Sequence, residues 1–218
     1  MALCDQFLDA GHRVIACHRR LGSADAVELS QARTERLVVL ELDVTAPESV
    51  LRLVGELERR EIHAIDVLIN NAGVLANRSG GLLTTTDAEV LECFDVNVLG
   101  TVRVTRALIP LLLNSPRGTI ANIGSRAASL ALTTAAADQY GYRMSKCALN
   151  MLTRLICLEF PSLVATAIHP GWIKTDIGGP HASLELNDVV PILGNLILAL
   201  RLEQSGKFLT HSGDHIPW

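Results

Sequence analysis

Ile65-Asp-Val-Leu-Ile-Asn-Asn-Ala-Gly73 is a short apolar run that ends at a polar turn. A long stretch with helical spacing follows at Asp87–Leu113, and then a second such run, Thr119-Ile-Ala-Asn-Ile123. Short β-branched runs bounded by Gly, Pro, Asn or Asp read as strands buried on both faces. Strand, helix, strand in this order implies right-handed crossovers and a mostly parallel sheet. The pattern continues outward in both directions. Arg13–Cys17, Arg36–Val44, Leu163–His169 and Lys207–Thr210 read as further strands. Met1–Ala10, Pro47–Arg60, Tyr140–Phe160 and Asn187–Leu202 have helical spacing. Thr45 is expected to cap the helix that carries Pro47 in its first turn, and Thr86 or Asp87 to cap the long one. Pro161 stops the helix before it. No internal repeat or linker interrupts the alternation. The reading is one α/β domain over residues 1–218 with a doubly wound parallel sheet.

Composition agrees with a folded chain. Of 218 residues, 49% are hydrophobic and only 19% are charged, the reverse of what disorder needs. The formal net charge is -4 and aromatics make up 4%, which speaks against a nucleic-acid partner. No uninterrupted apolar run reaches the roughly 18 residues of a membrane helix. Val189–Leu202 comes nearest and is broken by Pro191, Gly194, Asn195 and Arg201. Asp5, Gln6 and Asp9 spoil any signal-peptide pattern at the N-terminus. Five scattered cysteines without a Cys-x-x-Cys read as reduced thiols, so the expected compartment is the cytoplasm. Seven scattered histidines without His-Glu-x-x-His give no expectation of a metal.

The chemistry concentrates at Tyr142-Arg-Met-Ser-Lys146. Residues i and i+4 share one helix face. A phenol ionises near pH 10, and a cation one turn away lowers that value and makes Tyr142 a usable general acid or base. Taken alone, the pair also fits an ordinary surface contact. Ser125 ends the strand of Asn122-Ile-Gly-Ser125, where its hydroxyl either hydrogen-bonds a substrate oxygen or caps the next segment. Asn70-Asn-Ala-Gly73 ends an earlier strand, where open α/β sheets place their ligand crevice. Asn97 sits inside the long helix, a costly place unless its side chain is used. Pro170-Gly-Trp-Ile-Lys-Thr175 follows the next strand and doubles as a plain Pro-Gly turn.

In order and context, these signatures resemble the short-chain dehydrogenase/reductase family. The resemblance spans the whole chain and rests on Asp43-Val44, Asn70–Gly73, Asn97, Ser125, Tyr142-x-x-x-Lys146 and Pro170-Gly-x-x-x-Thr175. The subgroup most similar is that of the C-factor and sniffer-type carbonyl reductases. It is marked by Tyr140–Asn150, His169–Pro180 and the ending Gly213-Asp-His-Ile-Pro-Trp218. The resemblance implies a Rossmann-like fold and a hydride transfer between a nicotinamide cofactor and a small carbonyl or alcohol. It implies Tyr142 as the acid, and Lys146 as the group that lowers its pKa and holds the nicotinamide ribose. Ser125 would orient the carbonyl, and Asn97 would anchor a relay water. On the cofactor side it implies Asp43 and Val44 at the adenine and Asn71, Ala72 and Gly73 at the adenosine. Pro170, Gly171, Ile173 and Thr175 would lie at the nicotinamide, with Ile173 and Thr175 on its carboxamide. After the strand ending at Cys17 come His18, Arg19 and Arg20, with no acid before Asp25. Readers of NAD place an acid there, whereas the Arg19 fork suits a 2′-phosphate, so NADP(H) is favoured over NAD(H). The family also suggests pairing of two copies through the helices at Asp87–Leu113 and Tyr140–Phe160.

One departure stands out. The family's first strand and Gly-rich phosphate-binding turn precede its first helix, yet no Gly precedes Gly11 here. The expectation is an N-terminally truncated member whose sheet lacks a strand between those ending at Cys17 and Asn70. Either an upstream segment exists or the chain is an inactive relative. The alternative to a reductase is therefore a non-catalytic relative acting through protein contacts or signalling.

Overall fold

The structure, a computed structural model, describes residues 1–31, 34–135 and 137–218. The expected strands all form. β1 (Val14–His18) pairs in parallel with β2 (Leu37–Glu41). β3 (Val67–Asn70), β4 (Thr119–Ile123), β5 (Val164–His169) and β6 (Phe208–Thr210) form a parallel sheet in that order. The doubly wound sheet is thus divided, with no ladder between β1 and β3 among the described residues. This is the place where the sequence pointed to a gap. Val14 and Ile15 nevertheless pack into the same two apolar clusters as Val67, Leu68 and Ile69. The two groups of strands therefore lie side by side between shared helical layers.

The helices are α1 (Ala2–Asp9), α2 (Ala24–Gln31), α3 (Pro47–Arg59), α4 (Asp87–Phe94), α5 (Thr101–Leu113), α6 (Tyr140–Glu159) and α7 (Leu186–Ala199). One cluster joins Phe7 of α1 and Val189, Leu193 and Ile197 of α7 to one face of the strands. On the other face, Leu53 and Leu57 of α3 meet Val104 and Leu108 of α5, and Ile156 of α6 meets Leu112. Helix α2 has no counterpart in the sequence reading, because its residues, Ala-Asp-Ala-Val-Glu-Leu-Ser-Gln, lack a clear apolar stripe.

Two local readings need correction. Thr45 does not cap α3, whose N-cap is Ala46 with no side-chain bond. The Thr45 hydroxyl and N–H both donate to Asp43 Oδ1, at 2.6 and 2.9 Å, so the Asx-type turn takes the hydroxyl instead. Thr86 does cap α4, in a reciprocal box with Glu89. The long helix is also not uniform, because a π turn at Asp95–Gly100 joins α4 to α5. As a 27-residue unit, Asp87–Leu113 is long and apolar enough to cross a membrane by length and composition alone, although Arg103 and Arg106 interrupt its apolar run. Here it buries Asn97, Thr101 and Thr105 within the fold.

Candidate active site

The predicted residues sit just past the C-terminal ends of the strands. Arg19 follows β1, Asp43 and Val44 follow β2, and Asn71–Gly73 follow β3. Ser125 follows β4 and Pro170–Thr175 follow β5. The π turn ties the two groups of strands together at this edge. Asn97 reaches the segment after β3, while Gly100 lies against Val44 from the segment after β2. A Cβ on Gly100 would stand 2.7 Å from Val44 Cγ2, so only glycine lets the helix approach. π turns recur at functional sites because they push side chains out of the regular helical register.

Four side chains converge here. Asn97 is fully buried, which answers the cost of placing it in a helix. Its amide donates to Val74 O (3.0 Å) and Ser145 Oγ (2.9 Å), and its Oδ1 accepts from Val74 N (2.8 Å). Both amide hydrogens are used, so Asn97 has none left for a relay water; its carbonyl lone pairs are the groups available for one. Lys146 is 4% exposed, and its Nζ donates to Ile123 O at 2.8 Å. Lys146 Nζ lies 5.9 Å from the centre of the Tyr142 ring. Ser125 lies close enough to the Tyr142 phenol to lower its pKa. Its Oγ also accepts from Ala127 N at 3.2 Å, capping the short 3-10 turn Arg126–Ala128. The capping reading of Ser125 is therefore realised.

The electrostatics differ from the simple Tyr–Lys picture. Burial pushes the Tyr142 phenol above its ordinary value, partly offset by the neighbouring Ser125. Burial also pushes Lys146 down to about 8, with no carboxylate facing it to hold the proton. In the protein alone, Lys146 spends its charge on the Ile123 carbonyl rather than on the phenol. A consequence for stability follows. An unfolded lysine stays protonated to about pH 10.4. The penalty for charging Lys146 in the fold is thus fully present below about pH 8 and is relieved as pH rises toward 10.4. Urea unfolding should show the wild type gaining on the order of 1–2 kcal/mol over Lys146→Met between about pH 8 and 9.5. A constant difference between the two across that range would refute the assignment.

The cofactor-side residues are less tightly linked. Asp43 is held below the usual carboxylate range by the hydrogen bonds from Thr45, with a smaller contribution from Arg19. Asn71 and Ala72 are exposed, and Gly73 is half-buried. A Cβ on Gly73 would lie 3.4 Å from both Asn97 Oδ1 and Lys146 Nζ, which places that turn against the Lys146 ammonium. Ile173 is nearly buried and bridges to Leu184, while Thr175 Oγ1 accepts from Gly178 N at 3.1 Å.

Several participants escaped the sequence reading. Ser145 links Asn97 to the Tyr142 carbonyl, with Ser145 Oγ donating to Tyr142 O at 2.8 Å. Gln139, at φ 54°, precedes α6 in a left-handed conformation, and Asp138 pairs with Arg143 at 2.8 Å to hold that entry. Ser145 lies inside the quoted Tyr-to-Lys motif, but nothing in its spacing signals a bond to Asn97.

Comparison with known proteins settles the kinship. The family model described as short chain dehydrogenase matches residues 1–184. The chain belongs to the short chain dehydrogenase family. Among curated members it is similar to the C-signal protein of Myxococcus xanthus, 40% identical over 159 residues that make up 71% of this chain and 93% of that one. Among solved structures of short chain dehydrogenases, the carbonyl reductase Sniffer of D. melanogaster superposes with a TM-score of 0.92 at 26% identity. That match covers 100% of this chain and 94% of Sniffer. The NADPH-bound carbonyl reductase from chicken fatty liver follows at TM-score 0.90 and 27% identity, covering 99% and 94%. Family and neighbours together support a hydride-transfer oxidoreductase acting on a small molecule, on the Rossmann-like fold.

Proposed function

We propose that the chain is an NADP(H)-dependent reductase of small carbonyl compounds, also able to oxidise the corresponding alcohols, with Tyr142 as general acid and base. The observation that carries this reading is the convergence of Ser125, Tyr142, Lys146 and Asn97 at one edge of the strands. The residues present fit a dinucleotide. The Gly73 turn lies open against Lys146 Nζ, and Arg19 and Asp43 stand at the same strand edge. Arg19 would hold a 2′-phosphate, Asp43 and Val44 the adenine, and Asn71, Ala72 and Gly73 the adenosine. Tyr142 and Lys146 would hold the nicotinamide ribose, and Pro170, Gly171, Ile173 and Thr175 the carboxamide end. NADPH, when bound, supplies the hydride.

The chain's own groups do the rest. Ser125 Oγ, with one lone pair taken by Ala127 N, would turn its hydrogen from the Tyr142 side toward the substrate oxygen. Tyr142 stays protonated at neutral pH because burial raises it, so it arrives as an acid and gives its proton to the developing alkoxide. Lys146, pushed down to about 8, can pass a proton back toward the phenolate that is left. Asn97 positions the start of α6 through Ser145 and fixes Val74 across the site.

The compartment that suits this reading is the cytoplasm, with neither nucleic acid nor membrane as partner. Leu91, Met151, Leu155 and Leu158 on α4 and α6 are exposed, which suits pairing of two copies through those helices. The second reading, a non-catalytic relative working through protein contacts, draws on the likeness to C-signal. Fluorescence titration with NADPH separates the two, since only the first requires saturable binding. The cofactor preference has its own test. Arg19→Ala should weaken NADPH on the order of ten- to hundred-fold, the worth of a charge-assisted phosphate contact, and leave NADH nearly unchanged. Equal weakening of both would remove Arg19 from the 2′-phosphate.

A further inference from the structure

The C-terminal tail folds back over the segment after Ser125. Ser129 Oγ donates to Pro217 O at 2.6 Å, and Ala131 N donates to Trp218 O at 3.1 Å. The Trp218 ring stacks on Phe208, with centres 5.6 Å apart. Beside this closure, at the ends of β5 and β6, lies a cleft of about 240 Å³. Arg126, His169, Thr210 and His215 form its polar lining, and Leu132 and Ile216 supply apolar wall. His211 adjoins the cluster, close enough to act electrostatically on His169.

Three features define what fits there. First, Nδ1 of His169 is buried and lacks a hydrogen-bond partner among the described residues, while the likewise unpartnered Nδ1 of His211 faces the Gly171 turn. Buried polar atoms are nearly always satisfied, because an unsatisfied one costs its full desolvation. Second, the surroundings are cationic. His169 is pushed down to about 4 by burial first, then by His211 and Arg126, and no carboxylate acts to raise it. Asp214, the acid nearest in sequence, has Oδ2 accepting from Ser212 Oγ (2.8 Å) and Thr210 Oγ1 (3.4 Å). Arg126 forms no ion pair among the described residues. Third, the apolar wall disfavours a fully hydrated dianion such as phosphate and accepts a short hydrocarbon body.

We infer that this cleft binds the carboxylate of a small organic acid, with Arg126 as the counter-charge, His169 and His215 as donors, and Leu132 and Ile216 against the acid's apolar body. A carboxylate accepts several donors at once and pairs with a guanidinium through two parallel bonds. Arg126 directly follows Ser125 in the chain. Two sources share this chemistry: the carboxylate of a keto acid reduced at Tyr142, and an acid that binds without reacting.

The test titrates the full chain with benzoate, benzamide and inorganic phosphate while following the His169 and His215 imidazole signals by NMR. Benzoate should shift both and bind at least about tenfold tighter than uncharged benzamide. It should also raise the His169 pKa, since an anion favours the imidazolium. Arg126→Gln, at an exposed position, should remove the advantage of benzoate without changing the melting temperature. Equal binding of benzoate and benzamide, stronger binding of phosphate, no shift up to ~10 mM benzoate (a free energy too weak for a built site), or an unaffected Arg126→Gln variant would each overturn the inference. The source is read separately. A keto acid preferred over its methyl ester in kcat/KM, with the preference lost in Arg126→Gln, identifies a substrate carboxylate; benzoate binding without that preference identifies a separate acid. That arm rests on the carbonyl-reductase reading, whereas the imidazole titration does not depend on turnover.

Discussion

Tyr142→Phe is expected to lower kcat for carbonyl reduction with NADPH by at least about 100-fold, the low end of what a positioned general acid contributes. The substitution removes one oxygen and keeps the ring. Lys146 should stay in place, because its Nζ is held by Ile123 O rather than by the phenol. Asn97 should stay as well, since its partners are Val74 and Ser145. NADPH affinity is therefore expected to change little, and the loss to fall on kcat. A pH profile sharpens the test. The wild type should lose reductase activity at high pH as Tyr142 ionises, at a pH above the ordinary phenol value because burial raises it. Retention of more than half the wild-type turnover in Tyr142→Phe would remove this residue from the mechanism.

The second large effect is on stability. Asn122 lies in the middle of the four-stranded sheet and is fully buried. Its Oδ1 accepts from Asn70 Nδ2 at 2.8 Å, and its Nδ2 donates to Thr153 Oγ1 at 2.9 Å. Asn70 also donates to Thr105 Oγ1 at 3.0 Å. The network thus crosses from β3 to β4 and outward to α5 and α6. Asn122→Ala leaves a small cavity and strips partners from two buried groups, at a cost of roughly 2–4 kcal/mol. For a domain of this size the melting temperature should fall by roughly 5–15 °C. A drop under about 2 °C would show that water or repacking replaces the network. The expected signature is loss of stability with turnover at low temperature nearly kept, which distinguishes a scaffold residue from Tyr142.

Much of the fold is legible along the chain. Each apolar run became a strand, because short β-branched segments ending in Asn, Gly or Pro have few other ways to be buried. Thr119–Ile123 kept its expected bounds, and Arg36–Val44 shortened to Leu37–Glu41. The misses are also instructive. Thr45 looks like a cap in sequence, and only the turn geometry shows Asp43 capturing its hydroxyl. Ala24–Gln31 carries too weak an apolar stripe to stand out as a helix. Asn97 stands out in sequence as costly in a helix, but the π turn that aims it has no local signature.

By itself, the sequence determined the alternation of strands and helices, the parallel sense of the sheet and the family. Those follow from periodicity and from motifs a few residues long, which local sterics and burial dictate. The tertiary structure alone decided how distant groups meet. It bonded Lys146 to the Ile123 carbonyl and joined Asn97 to Ser145. It also brought Arg126, His169 and His215 from separate segments around one cleft. Such contacts depend on the packing of helices against strands, and the desolvation that raises Tyr142 and lowers Lys146 arises only once that packing has excluded water.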